Sequence, residues 1–424
     1  MISPARLAAF RTLLSYRKTG RISLQQCHLE ADRHLAERIL YGVLQNERYL
    51  DFCLAQFISR GFHRLHPAVL ELLRLSAYQI LFLDRIPESA VVNDAVSMCR
   101  NGSFSHHAGF VNAVLRRLSE NKDSILSLRP PLSVRYSHPD WMVCRLIERF
   151  GRDFTEALLI ADQTIPPLCL QVNTDICTLG DYTALLQQRN IEIIVINQEL
   201  SSVVIPSVVV EELPGYREGY FYVQDDAART SVHLAGITNG MMILDACAAP
   251  GGKSIAAKLE GGKPVSWDIS AERLQRCTDN YRRLGMDIPV RLQDAREFQP
   301  EYEARFQMVI ADVPCSGTGV IRKHPEIRYK TESDFLGLLE TQRSILENVS
   351  RYVVSGGMLL YSTCSVMQEE NELQVLAFLH DHPEYALEAV DLDDDPCHNG
   401  MFHSWPHLTG NDGFFAAKLR HHDD

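Results

Sequence analysis

The sequence lacks the cysteine spacing that zinc ribbons and regular disulfide frameworks use. It holds 11 cysteines in 424 residues, but none of them forms a Cys-x-x-Cys pair. We therefore expect reduced thiols and a cytoplasmic protein. An apolar run of the roughly 20 residues that a membrane helix needs is missing, and so is a secretory signal at the N-terminus. We expect neither membrane insertion nor secretion.

Positive charge is scarce overall, because 42 Lys and Arg stand against 54 Asp and Glu, with a formal net charge of −12. Taken alone, that balance argues against a nucleic-acid partner. The charge is uneven, however. Residues 1–130 hold 17 Lys and Arg against 11 Asp and Glu, which leaves 25 against 43 for the rest. The basic excess of the N-terminal part suggests that residues 1–130 bind a polyanion, although chance variation in surface charge explains the excess equally well.

Three segments with different hydrophobic patterns follow one another, as expected of a chain too long for one core. Apolar residues recur at helical spacing in residues 1–130, which predicts an all-α bundle. The proline-rich stretch SLRPPLSVRYSHPDW marks a boundary, and residues 131–232 form a linker and a small α+β module. In residues 233–424, strand and helix patterns alternate, which predicts a Rossmann-like α/β domain with a parallel, doubly wound sheet.

Five strands are predicted in this last segment: MMILDAC, PVSWDI, VRLQDA, FQMVIADV and GGMLLYSTC. Sheets of this type bind ligands beyond the carboxyl ends of their strands. Asp268, Asp294 and Asp312 stand at three of these ends, and Cys315 and Cys364 stand at or just after two of them. These five residues are therefore candidates for one site.

The loop DACAAPGGKS follows the first of these strands and leads into a helix. It is not a P-loop, because that motif needs glycine five positions before Gly252, where this chain has Cys247, and the G-x-G-x-x-G pattern is absent too. What remains is a glycine turn that lets backbone approach a ligand, or a purely structural turn. With Asp268 placed for two ribose hydroxyls and Asp294 for an adenine amine, the pattern favours an adenosyl ligand. A dehydrogenase would fit these groups as well.

Two cysteines and an aspartate at one sheet edge suit methylation of cytosine. Carbon 5 becomes nucleophilic only when a thiolate adds to carbon 6, and an acid at nitrogen 3 assists that addition. A base then removes the proton from carbon 5 so that the thiol is eliminated. Asp312, Cys315 and Cys364 could supply these groups. The alternative is that each cysteine is a small buried apolar residue.

Four motifs strengthen this interpretation: DACAAPGGKS, DVPCSGTGVIRKHPEIRY, YSTCSVMQEEN and NDGFFAAKLR. They resemble those of the Sun/Fmu (RsmB) family of RNA 5-methylcytosine methyltransferases, and FVNAVLRRL in the helical front resembles the NusB fold that one bacterial branch carries. The resemblance covers essentially the whole chain. It implies a NusB-like bundle, an RRM-like middle module, a methyltransferase domain, S-adenosyl-L-methionine as cofactor and 16S ribosomal RNA as substrate.

The resemblance also assigns roles to residues. Cys364, after Ser-Thr, is the nucleophile and Cys315 releases the product, whereas DNA 5-methylcytosine enzymes attack with the Pro-Cys cysteine. Asp312 lies close to cofactor and target base, Asp268 binds the ribose and Asp294 lies near adenine. The implied cofactor-binding loop consists of Cys247, Ala248, Ala249, Pro250, Gly251, Gly252 and Lys253.

Two positions depart from the family pattern: Val313 replaces the usual Ala, and Gln171 the commoner Arg, which removes one contact to RNA or between modules.

A catalytically inactive RNA-binding assembly factor is the alternative function. A zinc module is a third reading, although its spacing matches no common zinc pattern and we expect no metal; it would use Cys397, His398, His403 and His407. We expect a monomer that acts on free or partly assembled small-subunit RNA. The sequence does not identify the target nucleotide.

Overall fold

The N-terminal part of the chain is helical, as its hydrophobic spacing predicts. The computed structural model describes residues 2–22, 24, 30–59, 61–205, 209–390, 396–397 and 399–422. Two compact units result, Met1–Leu159 and Ile160–Asp424. The predicted three-part boundaries at residues 130 and 232 stay a prediction. The helices that begin in the first unit are α1 (Pro4–Thr19), α2 (Glu30–Ala55), α3 (Pro67–Phe82), α4 (Glu88–Asn101), α5 (Ala108–Glu120), α6 (Lys122–Ser127), α7 (Leu132–Arg135) and α8 (Asp140–Ala161).

Helix α3 is the central helix of this bundle. It begins at Pro67, where the missing N–H costs nothing, and His66 Nδ1 accepts a hydrogen bond from Ala68 N–H. Most of its side chains are buried, and two of them, Glu71 and Arg74, are charged. Arg74 lies within 3.0 Å of carboxylate oxygens of Glu47, Asp51 and Glu71. A buried guanidinium needs such partners. Part of the basic excess of residues 1–130 therefore stabilises the bundle itself.

The second unit begins with a small antiparallel sheet of order β2-β3-β1-β4. The apolar stretches LCLQVNT, IEIIVI and SSVVIP predict three of its strands, and LGDYTALLQQRN predicts α9. The fourth strand lies in GYREGYFYVQDDAARTSVHLAG, which the sequence pattern indicates only as a connection. Gln171 is fully buried here and bonds Ser202 Oγ and the Gln224 carbonyl, so its side chain is out of reach of RNA. The elements are β1 (Leu168–Val172), α9 (Leu179–Gln188), β2 (Ile194–Asn197), β3 (Ser202–Ile205) and β4 (Phe221–Val223).

A larger sheet follows, and its main path has the order β10-β12-β9-β8-β5-β6-β7. The five predicted strands, β5 to β9, pair in parallel. The elements are α10 (Asp226–Leu234), β5 (Met242–Asp245), α11 (Gly252–Leu259), β6 (Lys263–Asp268), α12 (Ala271–Arg283), β7 (Val290–Leu292), β8 (Phe306–Asp312), α13 (Glu332–Ser350), β9 (Val353–Thr363), α14 (Glu372–Asp381), β10 (Tyr385–Leu387), β11 (Phe402–Ser404), α15 (Pro406–Thr409) and β12 (Phe414–His421).

The prediction of an all-parallel sheet is wrong at one edge. Strand β12 runs antiparallel to β9, and both β10 and β11 pair antiparallel with β12. An antiparallel strand extends the sheet without a crossover helix, so the strand–helix rhythm of the sequence does not reveal it.

Both faces of the sheet are covered, which explains the continuous apolar runs of its strands. Along β8, Met308 and Ile310 face one core with α10 and α11, while Val309 and Ala311 face the other with α13 and α14. This packing holds the carboxyl ends of β5, β6, β8 and β9 rigidly at one edge. No helix within the described ranges is both long and apolar enough to cross a membrane.

Candidate active site

A cavity of about 380 Å³ lies at the carboxyl edge of the parallel strands. Six residues singled out from the sequence line it together: Cys247, Asp268, Asp294, Asp312, Cys315 and Cys364. The remaining predicted loop residues, from Ala248 to Lys253, are not among those that line it. The sequence interpretation missed Arg273, Arg296, Thr341 and Ile345, which do. The two arginines come shortly after strand-end aspartates, a signal that could have found them.

The loop after β5 is tied to the end of β6. Gly251 adopts a φ of 104° as it opens α11, and a side chain there would lie 2.8 Å from the Tyr281 ring. Only glycine accepts both conditions without strain. Ala249 N–H donates to Asp268 Oδ2 at 3.2 Å, and Arg273 Nη2 donates to the Ala249 carbonyl. The loop therefore positions an acid of the cavity wall.

Asp268 is 2% exposed, yet its carboxylate reaches the cavity. Its Oδ1 accepts a hydrogen bond from Ser270 N–H at 2.9 Å, and Arg273 Nη1 lies 3.6 Å from Oδ2. A carboxylate has about four acceptor positions, so these contacts leave room for hydroxyl donors of a ligand. The predicted ribose contact fits this geometry.

Asp294 differs, because the guanidinium of Arg296 already occupies both of its oxygens, with Nη2 2.6 Å from Oδ2. This hydrogen bonding lowers the pKa of Asp294 below its usual value. A contact between Asp294 and an adenine amine would therefore be made beside Arg296, whose side chain also lines the cavity.

Asp312 is held between two elements. Lys253 Nζ, at the start of α11, lies 2.6 Å from Oδ2, and Ser362 Oγ on β9 donates to Oδ1 at 2.9 Å. The ammonium of Lys253 also lies 4.8 Å from the centre of the Phe414 ring. Lys253 thus neutralises an acid that faces the cavity.

The two cysteines lie side by side, with 3.2 Å between Cys315 Sγ and Cys364 Sγ, and they form no disulfide. The hydrogen bond to Cys364 and burial hold the pKa of the Cys315 thiol well above its usual value, and the carboxylates of Glu370 and Asp312 raise it further. Either sulfur can donate the hydrogen bond between them. Only the thiolate is a strong nucleophile, so the cysteine that attacks must first lose its proton.

Two further groups contain a cysteine: the cavity residue Cys247 and the cluster around Cys397. Burial raises the pKa of Cys247, so this thiol lines the cavity as a small apolar residue. Among the zinc candidates, His398 falls outside the described residues and His407 is not part of the group below. His403 Nε2 lies 2.8 Å from Glu372 Oε1, and ligand atoms of Glu372, Cys397 and His403 lie within 4.8 Å of one another. None of the three lines the cavity, and His403 and Glu372 contact each other directly.

The cavity suits an adenosyl cofactor. Its volume is in the range of small-molecule sites, and carboxylates from two strand ends supply acceptors for hydroxyl and amine groups. Fold and site together define the class: a Rossmann-like methyltransferase domain that follows an all-α bundle and a small α+β module along the chain.

Comparison with known families supports each part of this class. Residues 3–120 match the NusB family, residues 138–207 the ferredoxin-like domain of RsmF/B-like methyltransferases, and residues 232–420 the family model described as 16S rRNA methyltransferase RsmB/F. The relative named ribosomal RNA small subunit methyltransferase B from Serratia proteamaculans is 32% identical over 94% of this chain and 92% of its own length. Its namesake from Citrobacter koseri is 32% identical over 93% and 92%.

Solved structures show the same fold. The protein PH0851 is 24% identical and superposes with a TM-score of 0.79 over 99% of both chains. NSun6 from Pyrococcus horikoshii, determined with SFG, is 19% identical with a TM-score of 0.62 over 68% of this chain and 99% of its own. The chain belongs to the ribosomal RNA small subunit methyltransferase B family, whose members are S-adenosyl-L-methionine-dependent RNA methyltransferases.

Proposed function

We propose that this protein methylates carbon 5 of a cytosine in 16S ribosomal RNA through a covalent adduct between Cys364 and carbon 6 of the base. The observation that carries the proposal is the pair of thiols 3.2 Å apart on the wall of the cavity that also presents Asp312. The names of the relatives, ribosomal RNA small subunit methyltransferase B, support the substrate.

The residues of the cavity divide into two groups. Asp268, Asp294 and Cys247 would hold the cofactor, which supplies an electrophilic methyl group when bound, and the rest of the loop to Lys253, which does not line the cavity, would position them. Asp312, Cys315 and Cys364 would face the base. The target cytosine must leave its stack to reach either sulfur, so we expect a flipped or unpaired nucleotide.

In this mechanism the two thiols have different roles. Cys364 gives up its thiol proton, which the Asp312 carboxylate passes to nitrogen 3, and its Sγ bonds to carbon 6 while the C5=C6 double bond opens. The electron pair of that bond makes carbon 5 the nucleophile that takes the methyl group, and the sulfur of the cofactor would keep the electron pair of the broken bond. On release, a base removes the carbon-5 proton, the electron pair of that bond forms the C5=C6 double bond, and Cys364 leaves as thiolate. Cys315, at hydrogen-bond distance from the leaving sulfur, assists this last step directly or through a water.

Removing either cysteine separates attack from release. We expect Cys364→Ala to give neither methylated RNA nor adduct. We expect Cys315→Ala to transfer the methyl group but to stall, so that the RNA remains attached and migrates as a denaturant-resistant shifted band. Cys177→Ala, at a partly exposed cysteine of the middle module, is the matched control and should turn over like the parent protein.

The reverse pattern, adducts with Cys364→Ala and none with Cys315→Ala, would make Cys315 the nucleophile. If the unmodified protein transfers no methyl group to 16S RNA, the chain is an RNA-binding factor and not an enzyme. We further propose a cytoplasmic monomer acting on free or partly assembled small-subunit RNA. Methyl transfer to naked 16S RNA should exceed transfer to complete small subunits.

A further inference from the structure

Two consecutive residues, Glu370 and Asn371, contact the loops that carry the two cysteines. Both side chains are buried, with relative exposures of 0% and 2%. They follow the Cys364 loop and immediately precede α14, and neither lines the cavity. They therefore lie behind the reacting groups.

Glu370 holds the loop of Cys315. Its Oε1 accepts a hydrogen bond from Ser316 N–H at 2.7 Å, and its Oε2 accepts one from Ser316 Oγ at 2.5 Å. Gln342 of α13 donates to the same Oε1 at 2.9 Å and to the Pro314 carbonyl at 3.0 Å. The residues on both sides of Cys315 are thus tied to one buried carboxylate.

Asn371 holds the loop of Cys364 in the same way. Its Oδ1 accepts a hydrogen bond from Thr363 Oγ1 at 2.6 Å, and its Nδ2 donates to the Ser365 carbonyl at 2.9 Å. The residues on both sides of Cys364 are therefore tied to the neighbouring amide. Because Glu370 and Asn371 share a peptide bond, the Cys315 loop and the Cys364 loop are hydrogen-bonded to two consecutive residues of one segment.

We propose that Glu370 and Asn371 are positioning residues that set the distance between Cys315 Sγ and Cys364 Sγ. The importance of that distance for product release rests on the function proposed above, whereas the role of Glu370 and Asn371 in setting the distance does not. Hydroxyl contacts such as Thr318 Oγ1 to Ser365 Oγ at 3.0 Å and the hydrogen bond from Gly319 N–H to the Cys364 carbonyl also join the loops, but they join neutral groups. The buried carboxylate is the one charged acceptor among these contacts, and hydrogen bonds to charged groups are the stronger ones.

The geometry can be tested without catalysis. Phenylarsine oxide bonds two adjacent thiols with loss of one water, so its tight binding reports the spacing of the pair. We expect the full-length protein to bind one equivalent, and Cys315→Ala or Cys364→Ala to abolish that binding. Glu370→Ala should weaken it at least tenfold. Glu370→Gln, which keeps one acceptor oxygen, should recover part of the affinity.

Glu372→Gln is the matched control, because Glu372 is a buried carboxylate two residues away that bonds His403 instead of a cysteine loop. It should leave arsenical binding unchanged. Cofactor binding by calorimetry identifies the folded variants, and if Glu370→Ala fails to fold, Ser316→Ala removes one of the same hydrogen bonds and should weaken binding as well. Arsenical affinity equal to that of the parent protein in the folded Glu370 and Ser316 variants would overturn the proposal.

The consequence for turnover is measured separately. Glu370→Ala should accumulate the denaturant-resistant RNA adduct, as Cys315→Ala does, while the Glu372→Gln control should not. A loss of arsenical affinity without any adduct would leave the positioning role standing and would contradict the release role of Cys315. An adduct that forms in Cys315→Ala but not in Cys364→Ala, together with arsenical binding unchanged in Glu370→Ala, would retain the proposed function and remove the positioning role.

Discussion

The acids of the cavity wall are already held by their neighbours. Asp268 accepts two backbone N–H groups, Asp294 is paired with Arg296, and Asp312 is paired with Lys253. Groups held in this way need no reorganisation when a ligand arrives. Each acid therefore has a fixed orientation in which its remaining acceptor positions face the cavity.

Asp268 gives the most direct test of the cofactor site. Loss of hydrogen bonds to a charged acceptor should cost roughly 1.5–3 kcal/mol, so we expect Asp268→Ala to weaken S-adenosyl-L-methionine binding about tenfold or more. The affinity of Asp268→Asn, which keeps one acceptor oxygen, should lie between those of Asp268→Ala and the parent protein. Asp279→Ala, at an exposed acid of α12 that is paired with Arg282, serves as the control. Calorimetry that finds parental affinity in a folded Asp268→Ala protein would refute the ribose assignment.

Asp245 makes stability depend on pH. It is fully buried at the end of β5, and burial, with Asp312 and Asp268 nearby, raises its pKa to about 7 against the hydrogen bond from Ser254. The folded state therefore binds more protons than the unfolded state between the ordinary Asp pKa and about 7. Stability from this group is present at low pH and is lost as the pH rises through that window.

We expect Asp245→Asn to remove this falling contribution, so that between about pH 4 and pH 7 the free energy of unfolding of the variant falls less with pH than that of the parent protein. Urea unfolding at several pH values, followed by tryptophan fluorescence to which buried Trp267 contributes, measures both. Asp412, whose pKa burial raises to about 6, contributes a slope of the same sign. An Asp245→Asn slope as steep as that of the parent would show that Asp245 does not bind the extra proton.

At the scale of elements, the site depends on one close approach of backbone. Gly319, in the turn after the Cys315 loop, donates its N–H to the Cys364 carbonyl at 3.0 Å, and its own carbonyl accepts from Gly413 N–H at 2.8 Å. A Cβ atom at position 319 would lie 2.0 Å from the Gly413 carbonyl oxygen. The turn, the cysteine loop and the segment before β12 can meet only because this residue has no side chain.

Gly319→Ala should therefore push these segments apart. We expect a loss of about 1–3 kcal/mol in stability, as for overpacked cores, and at least a tenfold loss of methyl transfer. Gly337→Ala is the control, because a Cβ at this position of α13 meets no atom within 4 Å. That change should stabilise the protein by roughly 0.5–1 kcal/mol and leave transfer intact. Calorimetry measures the change in stability, and a transfer assay measures the change in activity. Parental activity in Gly319→Ala would show that the turn does not contribute to the site.

For the whole molecule, the question is which basic residues meet RNA. Arg6, Arg17 and Arg74 are paired with carboxylates inside the helical unit, so they contribute little to an external basic surface. Arg116 and Arg117 on α5 are exposed and offer a test of the RNA-binding role proposed for the front of the chain.

If these two arginines contact phosphates, replacing both by alanine should weaken RNA binding and reduce the salt dependence of log K against log[salt] by about one to two. Arg33→Ala is the matched control, because Arg33 is exposed in the same unit but already paired with Glu37 at 3.0 Å. Binding measured over a range of salt concentrations gives both slopes. Equal slopes for the double variant and the parent would assign α5 another role.

The sequence alone predicted the elements whose patterns are local. The helices of the front and strands β5 to β9 follow from apolar spacing, and the residues at the strand ends follow from them. Strand β4 and the antiparallel strand β12 were missed, because no repeated pattern marks a strand that pairs with a distant partner. The side of the sheet to which β12 adds is decided by tertiary packing.

The sequence by itself also indicated that the aspartates and cysteines at the strand ends meet at one cavity, because parallel strands place their carboxyl ends at one edge whatever the details of packing. It did not determine how they meet. The 3.2 Å between the two thiols, the pairing of Asp294 with Arg296 and of Asp312 with Lys253, and the contacts of Glu370 and Asn371 join residues from separate elements. Such distances depend on how helices and loops pack around the sheet, and only the tertiary structure supplies them.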